Sequence, residues 1–196
     1  IGTFGGGLDL AIKEDDGYTF RHFFTKTFGQ RRTRAIIEDS NGWIWVGNSD
    51  GVYVFSPDSL QTDPQNYLTY NYNNGKLRSN EIKCIYQDTR GRIWIGSSGG
   101  GLSMCIPGTD YRNLTFRHYG TSNGLVNDMV QAIAEDKQGN LWIATEYGIS
   151  RFNPETQAFD NYFFSAYTLG NVYSDNSSCV SKNGSLLFGT NYGLLV

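Results

Sequence analysis

Along the chain, short apolar and aromatic runs of about five residues alternate with polar turns that carry glycine, the pattern of half-buried β-strands. AIIEDSNGWIWVGNSDGVYVFSP begins at Ala35, CIYQDTRGRIWIGSSGGGLSMCIP at Cys84 and AIAEDKQGNLWIATEYGISRFNP at Ala132, one pattern written three times. No run shows the 3.6-residue period of a helical solenoid, and a β-helix needs a much shorter repeat. Each copy predicts four strands: one ending at an acidic residue, one centred on a tryptophan, one after a second glycine, and an aromatic one such as YLTYNY, LTFRHY or FDNYFF.

The anchors are an acidic residue (Asp39, Asp88, Asp136), a glycine three later (Gly42, Gly91, Gly139), a tryptophan three further on (Trp45, Trp94, Trp142) and a second glycine (Gly51, Gly101, Gly148). A proline follows the third strand at Pro57, Pro107 and Pro154. The tryptophans stand 49 and 48 residues apart, and VSKNGSLLFGTNYGLLV repeats the pattern 45 residues later with Leu187 in the Trp slot. IGTFGGGLDL aligns with VGNSDGVYVF. The expected fold is therefore all-β, a β-propeller segment of four-stranded blades: partial blade 1–30, blades 31–79, 80–127 and 128–175, and partial blade 176–196. NG, RG and QG turns, a Trp wedge between blades and a glycine where the chain reverses each have a local structural reason. An arc of three complete and two partial blades reads as a piece of a larger propeller whose open ends pack on a second copy; a four-bladed ring is the alternative.

Composition narrows the partners. Net charge is −3 and sequence pI about 5.3, which supplies no basic surface for nucleic acid or anionic membranes. No apolar stretch is long enough to span a bilayer. Cys84, Cys105 and Cys179 form neither a disulfide framework nor a zinc pattern and are expected to pack as small hydrophobes. His22 and His118 fall at the same place in two copies of TFRH, which favours a structural role on an outer strand over catalysis. The repeated aspartates, spread around a ring, suit hydrogen bonds to the following turn better than paired-carboxylate chemistry. Gly5-Gly6-Gly7 and Gly99-Gly100-Gly101 precede no helix and read as strand connections rather than phosphate loops. No catalytic residue, metal site or cofactor is expected.

In a propeller, loops between blades share a face with the turns joining strands two and three, and binding sites sit where such loops converge. Here they carry Arg31, Arg32, Asn80, Asn127 and Asp128, and from the turns Asn48, Asp50, Ser97, Ser98, Glu146, Tyr147, Asn191 and Tyr192. Asn, Ser and acidic groups flanked by tyrosine suit sugar hydroxyls and rings, which gives these residues as the candidate ligand site.

GLVNDMVQAIAEDKQGNLWIATEYGISRFNP, from Gly124 to Pro154, resembles the two-component regulator propeller repeat: a GL-x-N-x-x-V approach, an acidic residue and glycine in the first turn, L/I-W-I-G-T, a G-L turn and a terminal F-x-P. Ala144 departs from the usual glycine, Leu187 from the Trp, and the Gln30 to Thr33 connection is short and lacks the Asn. The resemblance implies a non-enzymatic periplasmic sensor segment of a membrane-spanning hybrid histidine kinase that detects oligosaccharides and controls glycan-utilisation genes. It further implies a homodimer, more blades of the same receptor, and a membrane helix and kinase outside this segment. A protein-interaction scaffold without a small ligand, and a propeller lyase or hydrolase, are the competing readings.

Overall fold

The computed structural model describes residues 1–3, 5–23, 32–63, 65–163 and 173–196. Among the described residues, seventeen antiparallel strands form five sheets, and within each sheet the strands follow chain order. Blade I holds β1 (Leu8–Glu14) and β2 (Gly17–Phe23). Blade II holds β3 (Ala35–Glu38), β4 (Ile44–Asn48), β5 (Gly51–Phe55) and β6 (Tyr67–Tyr70). Blade III comprises β7 (Ile82–Gln87), β8 (Ile93–Ser97), β9 (Gly101–Cys105) and β10 (Arg117–Tyr119). Blade IV comprises β11 (Val130–Glu135), β12 (Leu141–Thr145), β13 (Gly148–Asn153) and β14 (Ala158–Tyr162). Blade V holds β15 (Tyr173–Val180), β16 (Leu186–Thr190) and β17 (Gly193–Leu195). Three four-stranded blades flanked by two smaller sheets are what the repeat predicts.

Four apolar clusters lie one between each pair of successive blades. Trp45 is buried among Ile82, Ile85 and Ile93 between blades II and III, and Trp94 among Tyr119, Leu125, Leu141 and Phe152 between blades III and IV. Leu8, Phe23, Val46 and Phe55 join blades I and II, whereas Ala132, Ala144, Tyr173 and Phe188 join blades IV and V. Ala144, in the slot where Gly47 and Gly96 stand, is wholly buried, so the extra methyl is absorbed by this last interface. The second glycine of the repeat is sterically required. Gly101 has φ +67°, and a Cβ there would come within 2.4 Å of the Tyr119 carbonyl oxygen; Gly51 and Gly148 meet Tyr70 and Tyr162 in the same way.

The repeated aspartate does two jobs. In blade III, Asp88 Oδ1 accepts from the backbone N–H groups of Arg90 and Arg92 at 3.0 and 2.9 Å, and Oδ2 accepts from the Trp94 indole Nε1 at 2.7 Å. Asp39 and Trp45 (2.8 Å), and Asp136 and Trp142 (2.9 Å), repeat the clamp. The turn bonds follow from the sequence reading; the indole bond explains why aspartate and tryptophan travel together six residues apart. At Asp136 burial opposes ionisation, but the Trp142 indole and the Asn140 amide outweigh it and hold the carboxyl below its ordinary range.

The cysteines divide. Cys84 and Cys105 are buried, with thiols pushed up to about 12 by desolvation. Cys179 is exposed, contrary to expectation, because it lies opposite Leu187 on the side of β15 that no described blade covers. His22 and His118 occupy equivalent outer strands and face equivalent cross-strand partners, Asp9 Oδ1 at 2.6 Å and Ser103 Oγ at 2.9 Å.

Candidate face-loop site

One face of the arc is built by the turns between second and third strands together with the loops between blades. They are stitched to one another through the backbone: Gly99 and Gly101 N–H donate to the Asp128 carbonyl at 3.0 Å, Ser98 N–H to Glu81 at 2.9 Å, and Glu146 N–H to Met129 at 3.1 Å. In blades III and IV the two kinds of loop are thus joined through the backbone, and binding sites favour loops carried on such a scaffold.

The candidate residues separate by depth. Asn48 and Ser97 are buried at the end of the second strand. Asn48 Oδ1 accepts from the Asp50 N–H at 2.7 Å, and Ser97 Oγ donates to the Gly101 carbonyl at 3.3 Å, the position where Thr145 and Thr190 bond Gly148 and Gly193. Asn80 Oδ1 accepts from Tyr72 N–H and Asn127 Oδ1 from Met129 N–H, both at 2.7 Å, and Asp128 accepts from the Thr121 backbone and hydroxyl at 2.8 and 3.1 Å. Asp50 accepts from the Tyr53 hydroxyl at 2.8 Å. The structure places these residues as the framework of the loops. Arg31 lies outside the described residues, and Arg32, Glu146, Tyr147, Asn191 and Tyr192 are exposed.

What the face presents to solvent is aromatic. Tyr147 is 61% and Tyr192 73% exposed, and they are accompanied by Tyr72 (64%) and Phe163 (59%), which the sequence reading passed over. Tyr147 and Phe163 meet edge-on with centroids 5.7 Å apart. The signal for Tyr72 was present in the YNYNNG string just before Asn80, and that for Phe163 in the FDNYFF strand end. Near them, Gln131 Nε2 donates to Glu146 Oε1 at 3.3 Å while its buried Oε1 has no partner among the described residues. Such a surface offers flat rings for stacking and amide and carboxylate groups for hydroxyls.

The opposite face carries polar bridges between blades. Glu135 accepts from the Thr89 N–H and hydroxyl at 2.8 and 2.7 Å, Gln87 Oε1 from the Ser40 N–H at 2.9 Å, and Arg90 pairs with Glu155. There Tyr111, in the loop before β10, stacks on Trp43 at 4.0 Å and donates to Asp39 at 2.6 Å, tying blade III to blade II.

The model of the two component regulator propeller matches residues 28–50, 76–99 and 124–147, one match at the start of each complete blade. These three matches identify the repeated unit of the chain as the two component regulator propeller repeat. Among curated proteins, histidine kinase P4 of Formosa agariphila is 26% identical over 198 residues, covering the whole of this chain and 14% of that protein. Among solved structures, the extracellular domain of a hybrid two component system from B. thetaiotaomicron is 27% identical with a TM-score of 0.77, over 97% of this chain and 25% of the other. Virginiamycin B lyase from Staphylococcus aureus, at 12% identity and a TM-score of 0.58 over 94% of this chain and 53% of the lyase, shares the fold alone. The chain thus spans 14% of the curated relative and 25% of the hybrid two component system domain, and among its described residues no helix is long and apolar enough to cross a membrane.

Proposed function

We propose that this propeller segment belongs to the periplasmic sensor region of a hybrid two-component histidine kinase, and that its face loops bind an oligosaccharide whose occupancy controls glycan-utilisation genes. The observation that carries the ligand reading is the exposure of Tyr72, Tyr147, Phe163 and Tyr192 on the loops of one face, with Tyr147 and Phe163 in edge-on contact. Aromatic rings left in water cost little conformational entropy to dock on a sugar ring, and neighbouring amides supply direction. Likeness to a histidine kinase and to an extracellular domain of a hybrid two component system supports the sensor assignment. Signalling requires the ligand to bind one receptor arrangement more tightly than another, and further blades and a second receptor copy are the elements proposed to read that difference.

Calorimetric titration of this chain against a panel of neutral and acidic plant and host oligosaccharides tests the proposal. The expected result is saturable binding of one glycan without turnover, weakened about tenfold, or 1.4 kcal/mol, by Tyr147→Ala or Tyr192→Ala. Absence of binding across the panel overturns the assignment of the site to these blades and favours an interaction scaffold.

A further inference from the structure

The innermost strands β3, β7, β11 and β15 pack side by side about the axis, and β15 also touches β7. Each of β7 and β11 has a one-residue irregularity, at Lys83 and Gln131, where the register shifts between Ile82 and Cys84 and between Val130 and Ala132. Arg34 holds the equivalent repeat position before β3. In β15 the irregularity is longer: pairing jumps from Tyr173 to Ser178, and Asn176 takes φ +53°. The extra residues carry Asp175 across the axis. Its Oδ2 lies 2.9 Å from Arg34 Nε and 3.1 Å from Lys83 Nζ, while Arg34 Nη2 meets Glu81 at 2.6 Å. Asn176 Nδ2 adds a bond to the Arg34 carbonyl at 3.3 Å, joining residues 142 positions apart.

We infer that Arg34, Glu81, Lys83 and Asp175 form an electrostatic clasp that fixes how far the arc closes. No apolar cluster joins blade V to blade II, so this polar contact is the tie between them among the described residues. The Arg34 side chain is only 7% exposed, so its two carboxylate partners act in a medium where charge pairing is stronger than at an open surface, and loss of one partner leaves a poorly solvated charge. Glu81 ends the loop that carries Tyr72 and Asn80, and its carbonyl accepts from Ser98 N–H, so the clasp is mechanically continuous with the face above it. Opening or closing the arc would move the face loops of blades II and V relative to each other, a hinge-like change.

Spin labels on exposed Cys179 and on Asp58→Cys report the distance between blades V and II by double electron–electron resonance, the buried Cys84 and Cys105 being protected. The unsubstituted clasp should give one narrow distance. Asp175→Asn, which keeps the side chain's shape and removes its charge, should replace it by a broad, longer distribution, and so should Arg34→Met. Reversal of all four charges (Arg34→Glu, Glu81→Arg, Lys83→Glu, Asp175→Lys) should restore the narrow one. A distribution unchanged in Asp175→Asn, or a reversal variant as broad as Asp175→Asn, overturns the inference.

Discussion

Blades III and V are copies of one repeat closed by different chemistry. In blade III the Asp88 carboxylate gathers two turn amides, the Arg92 guanidinium at 2.5 Å and the Trp94 indole, and Trp94 is sealed between Tyr119 and Phe152. In blade V, Ser181 stands for the aspartate and Leu187 for the tryptophan. There Asn183 Oδ1 lies 2.5 Å from the Ser181 hydroxyl and accepts from Ser185 N–H at 3.0 Å, so the turn is held but nothing reaches the second strand. The blade-to-blade bridge made by Glu135 onto Thr89 is also missing in blade V, where exposed Val180 occupies that slot and Lys137 instead donates to the Asn183 carbonyl at 2.6 Å. An indole buried between blades needs an acceptor for its N–H, so Trp and Asp are retained or lost as a pair.

The largest contrast should come from truncating the wedge. Trp94→Ala is expected to cost about 3–5 kcal/mol of unfolding free energy, whereas half-buried Leu187→Ala should cost about 1 kcal/mol. Chemical denaturation of both variants checks this, and equal losses would show that blade V is packed as tightly as blade III. Next, Asp88→Ala leaves the Trp94 N–H buried and unpaired and should cost about 1–3 kcal/mol, against less than about 1 kcal/mol for Ser181→Ala. The double variant Asp88→Ala with Trp94→Phe should recover part of that loss, since no indole N–H then remains. Third, Val180→Glu should supply blade V with the bridge of blades III and IV, pairing with the first turn of blade IV at Lys137 for a gain of up to about 1 kcal/mol.

The smallest effect is confined to blade III. Burial, followed by the Arg78 charge, lowers the proton affinity of His118 below its ordinary value. The unfolded chain therefore binds the proton more readily, so this contribution is absent above about pH 6.5 and stability falls as pH drops from there through the folded value. His118→Gln should flatten that part of the stability profile measured between pH 7.5 and 5, while Ser181 and Leu187 variants leave it unchanged.

Much of this architecture was legible in the residues because its requirements are local. The turn glycines, the strand-length apolar runs and the 45- to 49-residue spacing of Trp45, Trp94, Trp142 and Leu187 specify blades, since each blade's hairpins are formed by neighbouring residues. The loop face was legible as a set of loops, but its division was not. Asn48, Ser97, Asn80 and Asp128 read as polar groups available to a ligand, and the folded chain uses them to hold turns, leaving Tyr72, Tyr147, Phe163 and Tyr192 outward. Whether an amide side chain faces water or a backbone N–H depends on where the neighbouring blade lies, which one repeat does not encode.

What the sequence by itself determined is the identity of the blades and the slots of their anchors. Only the tertiary structure decided that the second oxygen of each repeated aspartate takes an indole, that Tyr111 of blade III reaches back to Asp39, and that a longer irregularity in β15 brings Asp175 to Arg34. The physical reason is reach. Turn and strand preferences act over a few residues, whereas these contacts join groups set by register shifts and blade curvature, and contacts between residues 141 positions apart exist only once the intervening blades have packed.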